Sequence, residues 1–150
     1  MKGSSMIRKA EIKDLSRIAE ILVFVKRLNF RRIFHNDEYS FNELQVIRVA
    51  NEYQSYLEDI YVYDDGIVKG LIHIQGKEVK SLYVDSFFES QGIGGELLEF
   101  AKEKFDVKFL YALEKNERAL SFYKKHGFIY HGKWKYEEGT VEKILVLEVS

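Results

Sequence analysis

The first third of the chain carries hydrophobic residues at helical spacing. Residues 6–10 form a short apolar strand candidate, and a helix is predicted to begin at Asp14, which we expect to cap it. The pattern breaks over residues 28–35, and a second amphipathic helix is predicted over residues 40–56. The first helix is therefore expected to pack on the core through a single face, made by Leu15, Ile18, Ala19, Leu22 and Val25.

The middle of the chain has the pattern of an antiparallel sheet. Strands are predicted over residues 60–63 and 67–74, joined by the turn sequence Asp64-Asp65-Gly66, which is a strong hairpin signal. Gln75-Gly76-Lys77 then turns the chain into a further strand over residues 78–84. These three segments predict a meander.

The second half predicts a crossover followed by a closing hairpin. A helix over residues 95–105 separates the strand at 78–84 from a nearly continuous apolar run at 107–113, so these two strands are expected to be parallel. Residues 129–135 and 141–149 are predicted to form the last hairpin.

Three glycines, Gly92, Gly94 and Gly95, lie between a strand and a helix. Glycines let the backbone approach a ligand closely, and the N–H groups at a helix start attract phosphate oxygens. A P-loop would need Lys-Ser/Thr after the glycines, and a dinucleotide fold would need glycine at position 97, which is Leu97. The segment therefore predicts a pyrophosphate site of another kind.

Residues 89–94, Glu-Ser-Gln-Gly-Ile-Gly, resemble the acyl-CoA motif of the GNAT superfamily of N-acyltransferases, Q/R-x-x-G-x-G/A. Glu89 departs from it, because Gln or Arg is usual there. Residues 116–128, NERALSFYKKHGF, resemble the second motif of the family, N-x-x-A-x-x-F-Y-x-x-x-G-F, at every defined position. One helix and one strand fit between the two motifs, as the family requires.

The resemblance covers residues 6–128 and implies the fold. It implies an α/β (α+β) domain, with a mixed, mostly antiparallel twisted sheet of about 6–7 strands, about four flanking helices and splayed central parallel strands. We expect one domain over residues 6–150, with residues 1–5 a disordered extension or a cloning remnant.

The same resemblance implies acetyl-CoA as co-substrate and an amine of a small molecule or peptide as acceptor. The pyrophosphate would be held by backbone groups of the glycine-rich turn and the pantetheine arm by the preceding strand and the second motif. The implied cofactor-binding residues are Leu82, Val84, Ser90, Gln91, Gly92, Ile93, Gly94, Gly95, Asn116 and Tyr123.

By resemblance, Tyr123 is the expected general acid for the leaving thiolate, and the Leu82 N–H is the expected oxyanion donor. With reference pKa values of ~10 for a phenol and ~8.5 for a thiol, that proton transfer is uphill by only ~2 kcal/mol. Glu78 is the first candidate for the base, and His73 or ordered water are the alternatives. The substrate-contacting candidates are Phe30, Arg31, Arg32, Phe34, His35 and His73.

Composition narrows the function further. The net charge is −1, from 23 basic and 24 acidic residues, which gives no general field for nucleic acid or an anionic membrane. The chain has no cysteine, so a thiolate metal site or a cysteine acyl-enzyme is excluded, and its four histidines lack ligand spacing, so no metal is expected. No segment has the apolar length of a membrane helix, and a cytoplasmic protein is expected. Homodimerisation stays open.

Two readings of the function follow. The first is an acetyltransferase that acts by direct attack in a ternary complex. The second is an acyl-CoA-binding sensor or interaction domain without turnover, which the departure at Glu89 leaves open. A modest basic patch near the end of the second motif is either solvated or in contact with the 3′-phosphate of CoA, and it consists of Lys124-Lys125-His126 with His131, Lys133 and Lys135.

Overall fold

The computed structural model describes residues 6–34 and 46–149. These residues form one seven-stranded mixed sheet and four α-helices. The strands are β1 (Ile7–Lys9), β2 (Ile60–Asp64), β3 (Val68–Gln75), β4 (Glu78–Val84), β5 (Phe109–Leu113), β6 (Phe128–Tyr136) and β7 (Lys143–Val149). The helices are α1 (Leu15–Phe34), α2 (Val46–Tyr53), α3 (Ile93–Phe105) and α4 (Glu117–Lys125). None of the helices in the described ranges is long and apolar enough to cross a membrane.

The strand order is β1-β2-β3-β4-β5-β7-β6, and the predicted parallel pair is β4 with β5. All the other recorded strand pairs are antiparallel. The closing hairpin does not simply extend the sheet, because β7 lies between β5 and β6. The predicted mixed sheet with four helices is confirmed.

The central strands β4 and β5 separate soon after they begin. Their register has only two pairs, Glu78 with Phe109 and Val79 with Leu110. The pairing of β4 with β3 shifts at the same place, from Val79 opposite Ile74 to Ser81 opposite His73, so one extra residue lies in β4. A bulge of this kind bends a strand and increases its twist. From Lys80 to Val84, therefore, the edge of β4 that faces β5 has no recorded strand partner.

The sheet separates two hydrophobic clusters. On one face, Ile72 and Leu110 pack with the α3 residues Leu97 and Leu98. On the other, Leu71 packs with the α1 residues Ile18 and Leu22. The face predicted for the first helix is confirmed: Ile18, Ala19, Leu22 and Val25 are buried and Leu15 is half-buried.

Three local predictions are wrong. Helix α1 does not break at residue 28 but continues to Phe34, which places residues 30–34 in a helix instead of a loop. Asp14 does not cap α1: it ends a short 3₁₀ helix, Ile12–Asp14, and its carboxylate accepts the N–H of Glu11 at 2.8 Å. The second helix ends at Tyr53 and passes into a 3₁₀ segment, Gln54–Asp59. Its predicted start, at residues 40–45, lies outside the described residues.

Asp14 instead belongs to an ionic cluster that closes the β1 end of the sheet. The Arg8 guanidinium donates to Asp14 at 2.8 and 2.9 Å and to Asp64 at 3.0 Å. Hydrogen bonding from Arg8 lowers the pKa of Asp14. The N–H of Gly66 and then Arg8 lower the pKa of Asp64. Both carboxylates are therefore held ionised in the folded protein.

This cluster predicts a loss of stability in acid. Because the folded pKa values lie below the unfolded ones, the stabilisation is complete above the unfolded value of ~4 and is lost as the pH falls through the folded values. We expect the free energy of unfolding, measured with urea, to fall between pH 7 and pH 3 in both proteins. The decrease should be about 1 kcal/mol smaller for Asp14→Asn than for the wild type. Glu138→Gln, at an exposed position, should follow the wild type. If the free energy of unfolding depends on pH in the same way for Asp14→Asn and the wild type, Asp14 is not a source of the loss of stability in acid.

Candidate active site

A groove of about 890 Å³ opens where β4 leaves β5, and it extends from the end of β4 to helices α3 and α4. Its walls come from all three elements and from the loop before α3. The lining residues are Leu82, Val84, Phe88, Glu89, Ser90, Gly92, Ile93, Gly94, Gly95, Glu96, Glu99, Asn116, Arg118, Ala119, Phe122, Tyr123, Lys125 and His126.

The N-terminus of α3 forms one wall of this groove. Gly92 is the N-cap residue, with a left-handed backbone (φ 82°) that glycine adopts without strain, and no side chain caps the helix. The first N–H bonded within the helix is that of Glu96, to the Gly92 carbonyl at 3.0 Å. The preceding amides, of Ile93, Gly94 and Gly95, are thus available to an anion, as expected at a helix N-terminus.

A Cβ alone would fit at Gly94, in ordinary van der Waals contact with its neighbours, but a longer side chain would take up space next to these amides. A Cβ at Gly94 would lie 3.4 Å from Cζ of Phe122 and 3.6 Å from Cγ2 of Val84, so a larger side chain would enter the groove. Ser90 also lines the groove, whereas Gln91 is exposed and does not. The fit of this site to a pyrophosphate therefore rests on backbone groups at residues 92–95.

Glu89, the departure from the acyl-CoA motif, lies opposite a cation. Nη2 of Arg118, in α4, is 3.8 Å from Oε1 of Glu89. Both side chains are well exposed, at 69% and 49%, so the pair contributes little to stability. The two charges balance each other, and both residues line the groove.

Asp85 fixes the loop between β4 and α3. It is 9% exposed, and its carboxylate accepts the N–H of Phe87 at 2.9 Å and Nη2 of Arg17 at 2.5 Å. Arg17, on α1, also donates from Nε to the Val68 carbonyl at 2.9 Å. Our sequence reasoning missed this anchor, although an Asp directly after a strand and before a polar turn is a recognised turn signal.

Tyr123 reaches the groove from α4, and its ring packs against Phe122 and Phe128 with centroid distances of 5.2 and 6.3 Å. Burial raises the pKa of Tyr123 to about 12. The phenol therefore keeps its proton throughout the neutral and mildly alkaline range.

Asn116 is both a helix cap and a groove residue. Its Oδ1 accepts the N–H of Ala119 at 3.2 Å and so caps the start of α4. The cap uses only this oxygen, so the Nδ2 amide group is not committed to it. Leu82 and Val84 line the same groove from β4, along the stretch that has separated from β5.

Glu78, the first candidate for the base, is not among the groove residues. It lies at the start of β4, paired with Gln75 and Phe109, where the two central strands still meet. Four residues of strand separate it from Leu82, which corresponds to about 13 Å. The structure therefore does not bring Glu78 together with Tyr123 in this groove.

His73 lies on β3, opposite Ser81, and is only 4% exposed. Its ring stands 5.1 Å from that of Tyr56 and 6.2 Å from that of Tyr53, on the sheet face covered by α1 and α2. Burial lowers the pKa of His73, so its ring is neutral at physiological pH. Within the described residues, Nε2 of His73 is the buried side-chain nitrogen or oxygen atom that lacks a hydrogen-bond partner.

The other substrate-contacting candidates lie at the end of α1. Phe30, Arg31, Arg32 and Phe34 belong to its last turns, and His35 lies outside the described residues. Among the residues that the structure describes, no cluster of three or more histidine or acidic side chains could hold a metal ion.

Sequence reasoning also missed much of the helical wall of the groove. The missed α4 residues are Arg118, Ala119 and Phe122, and Phe122 follows the other two by four and three positions. His126, four positions further along, was named only as part of the basic patch. This spacing places one face of the second motif towards the groove, and it could have been recognised from the sequence. Glu96 and Glu99 follow the same rule on α3.

Comparison with known proteins agrees with this geometry. Residues 56–130, half of the chain, match the family described as the acetyltransferase (GNAT) domain. The fold is similar to that of an N-acetyltransferase from Staphylococcus aureus, with a TM-score of 0.74 and 19% identity over 96% of this chain and 100% of the other. The chain belongs to the GNAT acetyltransferase family.

Two further solved structures were determined with a cofactor. The PaiA N-acetyltransferase of Thermoplasma acidophilum, in complex with coenzyme A, is 25% identical over 95% of this chain and 97% of the other, with a TM-score of 0.66. YncA of Salmonella typhimurium, a putative acetyltransferase solved with acetyl-CoA, is 16% identical over 96% and 92%, with a TM-score of 0.67. At 16% identity, the similarity to YncA shows a shared fold only.

Proposed function

We propose that this protein transfers an acetyl group from acetyl-CoA to a primary amine of a small molecule or peptide, by direct attack in a ternary complex. The observation that carries the proposal is a single groove that joins the uncapped start of α3 to the phenol of Tyr123. Membership of the acetyltransferase family and the coenzyme A complex of a relative support it.

The donor half of the site would bind through backbone groups. Gly92 to Gly95 would hold the pyrophosphate with amides at the positive end of the α3 dipole, each favourable interaction being worth ~0.3 to 2 kcal/mol. Leu82 and Val84 lie on the separated part of β4, where backbone groups can bind an extended pantetheine arm. Bound there, acetyl-CoA would supply a thioester carbon that an amine can attack. The N–H of Leu82 would then stabilise charge on the carbonyl oxygen.

Tyr123 would donate its phenolic proton to the departing sulfur and regain a proton from solvent. With a phenol pKa of about 12 and a reference thiol pKa of ~8.5, the proton transfer is uphill by about 5 kcal/mol. A phenol and a thiol at their reference pKa values would require only ~2 kcal/mol. However, the burial that raises the pKa of Tyr123 also raises that of a thiol held beside it. Overall, one proton leaves the amine and one reaches the sulfur, so the reaction needs no further reactant.

The acceptor would approach from the sheet face covered by α1 and α2. The last turns of α1, with Phe30, Arg31, Arg32 and Phe34, are the proposed recognition segment, and arginines there suit a substrate that carries a carboxylate. Neither Glu78 nor His73 lines the groove, so either would have to accept the amine proton through water; His73 is neutral, and its buried Nε2 has no recorded hydrogen-bond partner. Ordered water is the alternative base.

Calorimetric titration tests the proposal. We expect acetyl-CoA to bind with a dissociation constant of about 1–100 µM and ATP not to bind. Gly94→Val should abolish binding, because its side chain would meet Phe122 and Val84 in the groove. Ser121→Val, at an exposed α4 position outside the groove, should bind normally.

A screen of amines that records CoA release then separates the two functions. Turnover with any primary amine supports the transferase. Tight acetyl-CoA binding with no CoA release from any amine would contradict it in favour of an acyl-CoA sensor.

A further inference from the structure

A histidine and a glutamate form a hydrogen-bonded pair beside the phosphate-binding wall. Nδ1 of His126, at the C-terminal end of α4, lies 2.8 Å from Oε2 of Glu99 on α3. Both residues line the groove. A carboxylate at Nδ1 fixes the orientation of an imidazole and leaves its Nε2 for another partner.

Nε2 of His126 is turned towards the first turn of α3. A Cβ added to Gly95 would lie 3.1 Å from both Nε2 and Cε1 of the ring. Phe122 packs against the ring with a centroid distance of 4.8 Å. The imidazole is therefore confined between Gly95, Phe122 and Glu99, next to the helix start that would hold a pyrophosphate.

Both helices contribute charges around this ring. On α3, Nζ of Lys102 donates to the His126 carbonyl at 2.8 Å and lies 3.5 Å from Oε2 of Glu99. The other charged groove residues are Glu96 on α3, Arg118 and Lys125 on α4, and Glu89 on the loop. Three carboxylates thus line a groove that has to accept a dianion, so an additional cation would be favourable.

We propose that His126, oriented by Glu99, is a phosphate-binding residue whose imidazolium form donates from Nε2–H to the CoA pyrophosphate. The inference rests on the proposed function and extends it, because it makes cofactor affinity depend on pH. Histidine is the side chain whose ordinary change of charge falls between pH 5 and pH 8, so a histidine contact to phosphate is the kind that responds to pH in this range. Charge-assisted hydrogen bonds to phosphate are about twice as strong as neutral ones.

The decisive probe is 3′-dephospho-CoA. The 3′-phosphate of CoA itself titrates near pH ~6 and would obscure the effect, whereas a pyrophosphate diester keeps its charge over this range. We expect dephospho-CoA to bind roughly five- to tenfold more tightly at pH 5.5 than at pH 8.0. His126→Gln should bind equally at both pH values, at about the affinity of the wild type at pH 8.0.

Two further variants make the test specific. His131→Gln removes an exposed histidine outside the groove and should keep the full pH dependence. Glu99→Asp keeps the negative charge but is too short to hold Nδ1, so the gain at pH 5.5 should shrink. Thermal unfolding of each variant at both pH values shows whether it is folded.

Each result has one meaning. Binding of dephospho-CoA that does not change with pH in the wild type overturns the role of His126 but leaves the proposed function intact. The same conclusion follows if folded His126→Gln keeps the pH dependence. If neither acetyl-CoA nor dephospho-CoA binds at any pH, the proposed function itself fails.

Discussion

Replacing Tyr123 by phenylalanine is expected to lower kcat for acetyl transfer by roughly 10²- to 10⁴-fold, the range typical of a lost general acid. The dissociation constant of acetyl-CoA should hardly change, because the phenyl ring keeps its packing with Phe122 and Phe128. Single-turnover measurements with an identified amine, together with titration of acetyl-CoA, separate the two effects. Tyr130→Phe, at an exposed tyrosine of β6, is the matched control and should retain full turnover.

The pH profile adds a second readout for the same residue. Because the pKa of Tyr123 is raised to about 12, its acidic form persists up to about pH 10, so no loss of kcat below that pH should come from its ionisation. Full activity of Tyr123→Phe would show that the leaving thiolate takes its proton from elsewhere.

Replacing Asp85 by alanine should reduce the free energy of unfolding by about 3 kcal/mol. The substitution removes the carboxylate that accepts from Nη2 of Arg17 and from the N–H of Phe87, and of its recorded ion pairs Arg17 keeps the one with the exposed Glu20 at 2.9 Å. Because these contacts hold the loop between β4 and α3, we also expect weaker acetyl-CoA binding. Urea denaturation and titration measure the two effects.

Two other substitutions serve as comparisons for the loss of stability in Asp85→Ala. Asp85→Asn keeps an oxygen acceptor for Phe87 and should lose only part of the stability. Asp65→Ala removes a carboxylate that pairs with Lys69 at 2.8 Å in an exposed ion pair, and it should cost less than about 1 kcal/mol. If Asp85→Ala is no more destabilising than Asp65→Ala, Asp85 is not the anchor of the loop.

The sheet and the glycine-rich start of α3 could be predicted from the sequence because they depend on local signals. The Asp64-Asp65-Gly66 turn fixed one hairpin, and the glycines at residues 92–95 marked the α3 start. Asn116 and Gly127 fixed both ends of α4, where the structure shows a side-chain cap and a positive φ of 91°.

The features that could not be predicted depend on contacts between distant segments. Arg17 and Asp85 are 68 positions apart, and nothing local to either residue indicates the pair. Helix α1 continues to Phe34 although the hydrophobic pattern weakens at residue 28, where Leu28 is 37% exposed, so the local pattern did not indicate where this helix ends. The location of Glu78 follows from where β4 and β5 part, and this in turn follows from the extra residue near Lys80.

The two hydrophobic clusters on opposite faces of the sheet have an evolutionary consequence. Leu97 and Leu98 support the groove from one side, whereas Ile18 and Leu22 support α1 from the other, in a separate cluster. A sequence change beneath α1 can therefore alter that helix without repacking the layer that holds the start of α3. Under the proposed function, mutations in one layer would change the acceptor while the other layer continued to bind the same donor.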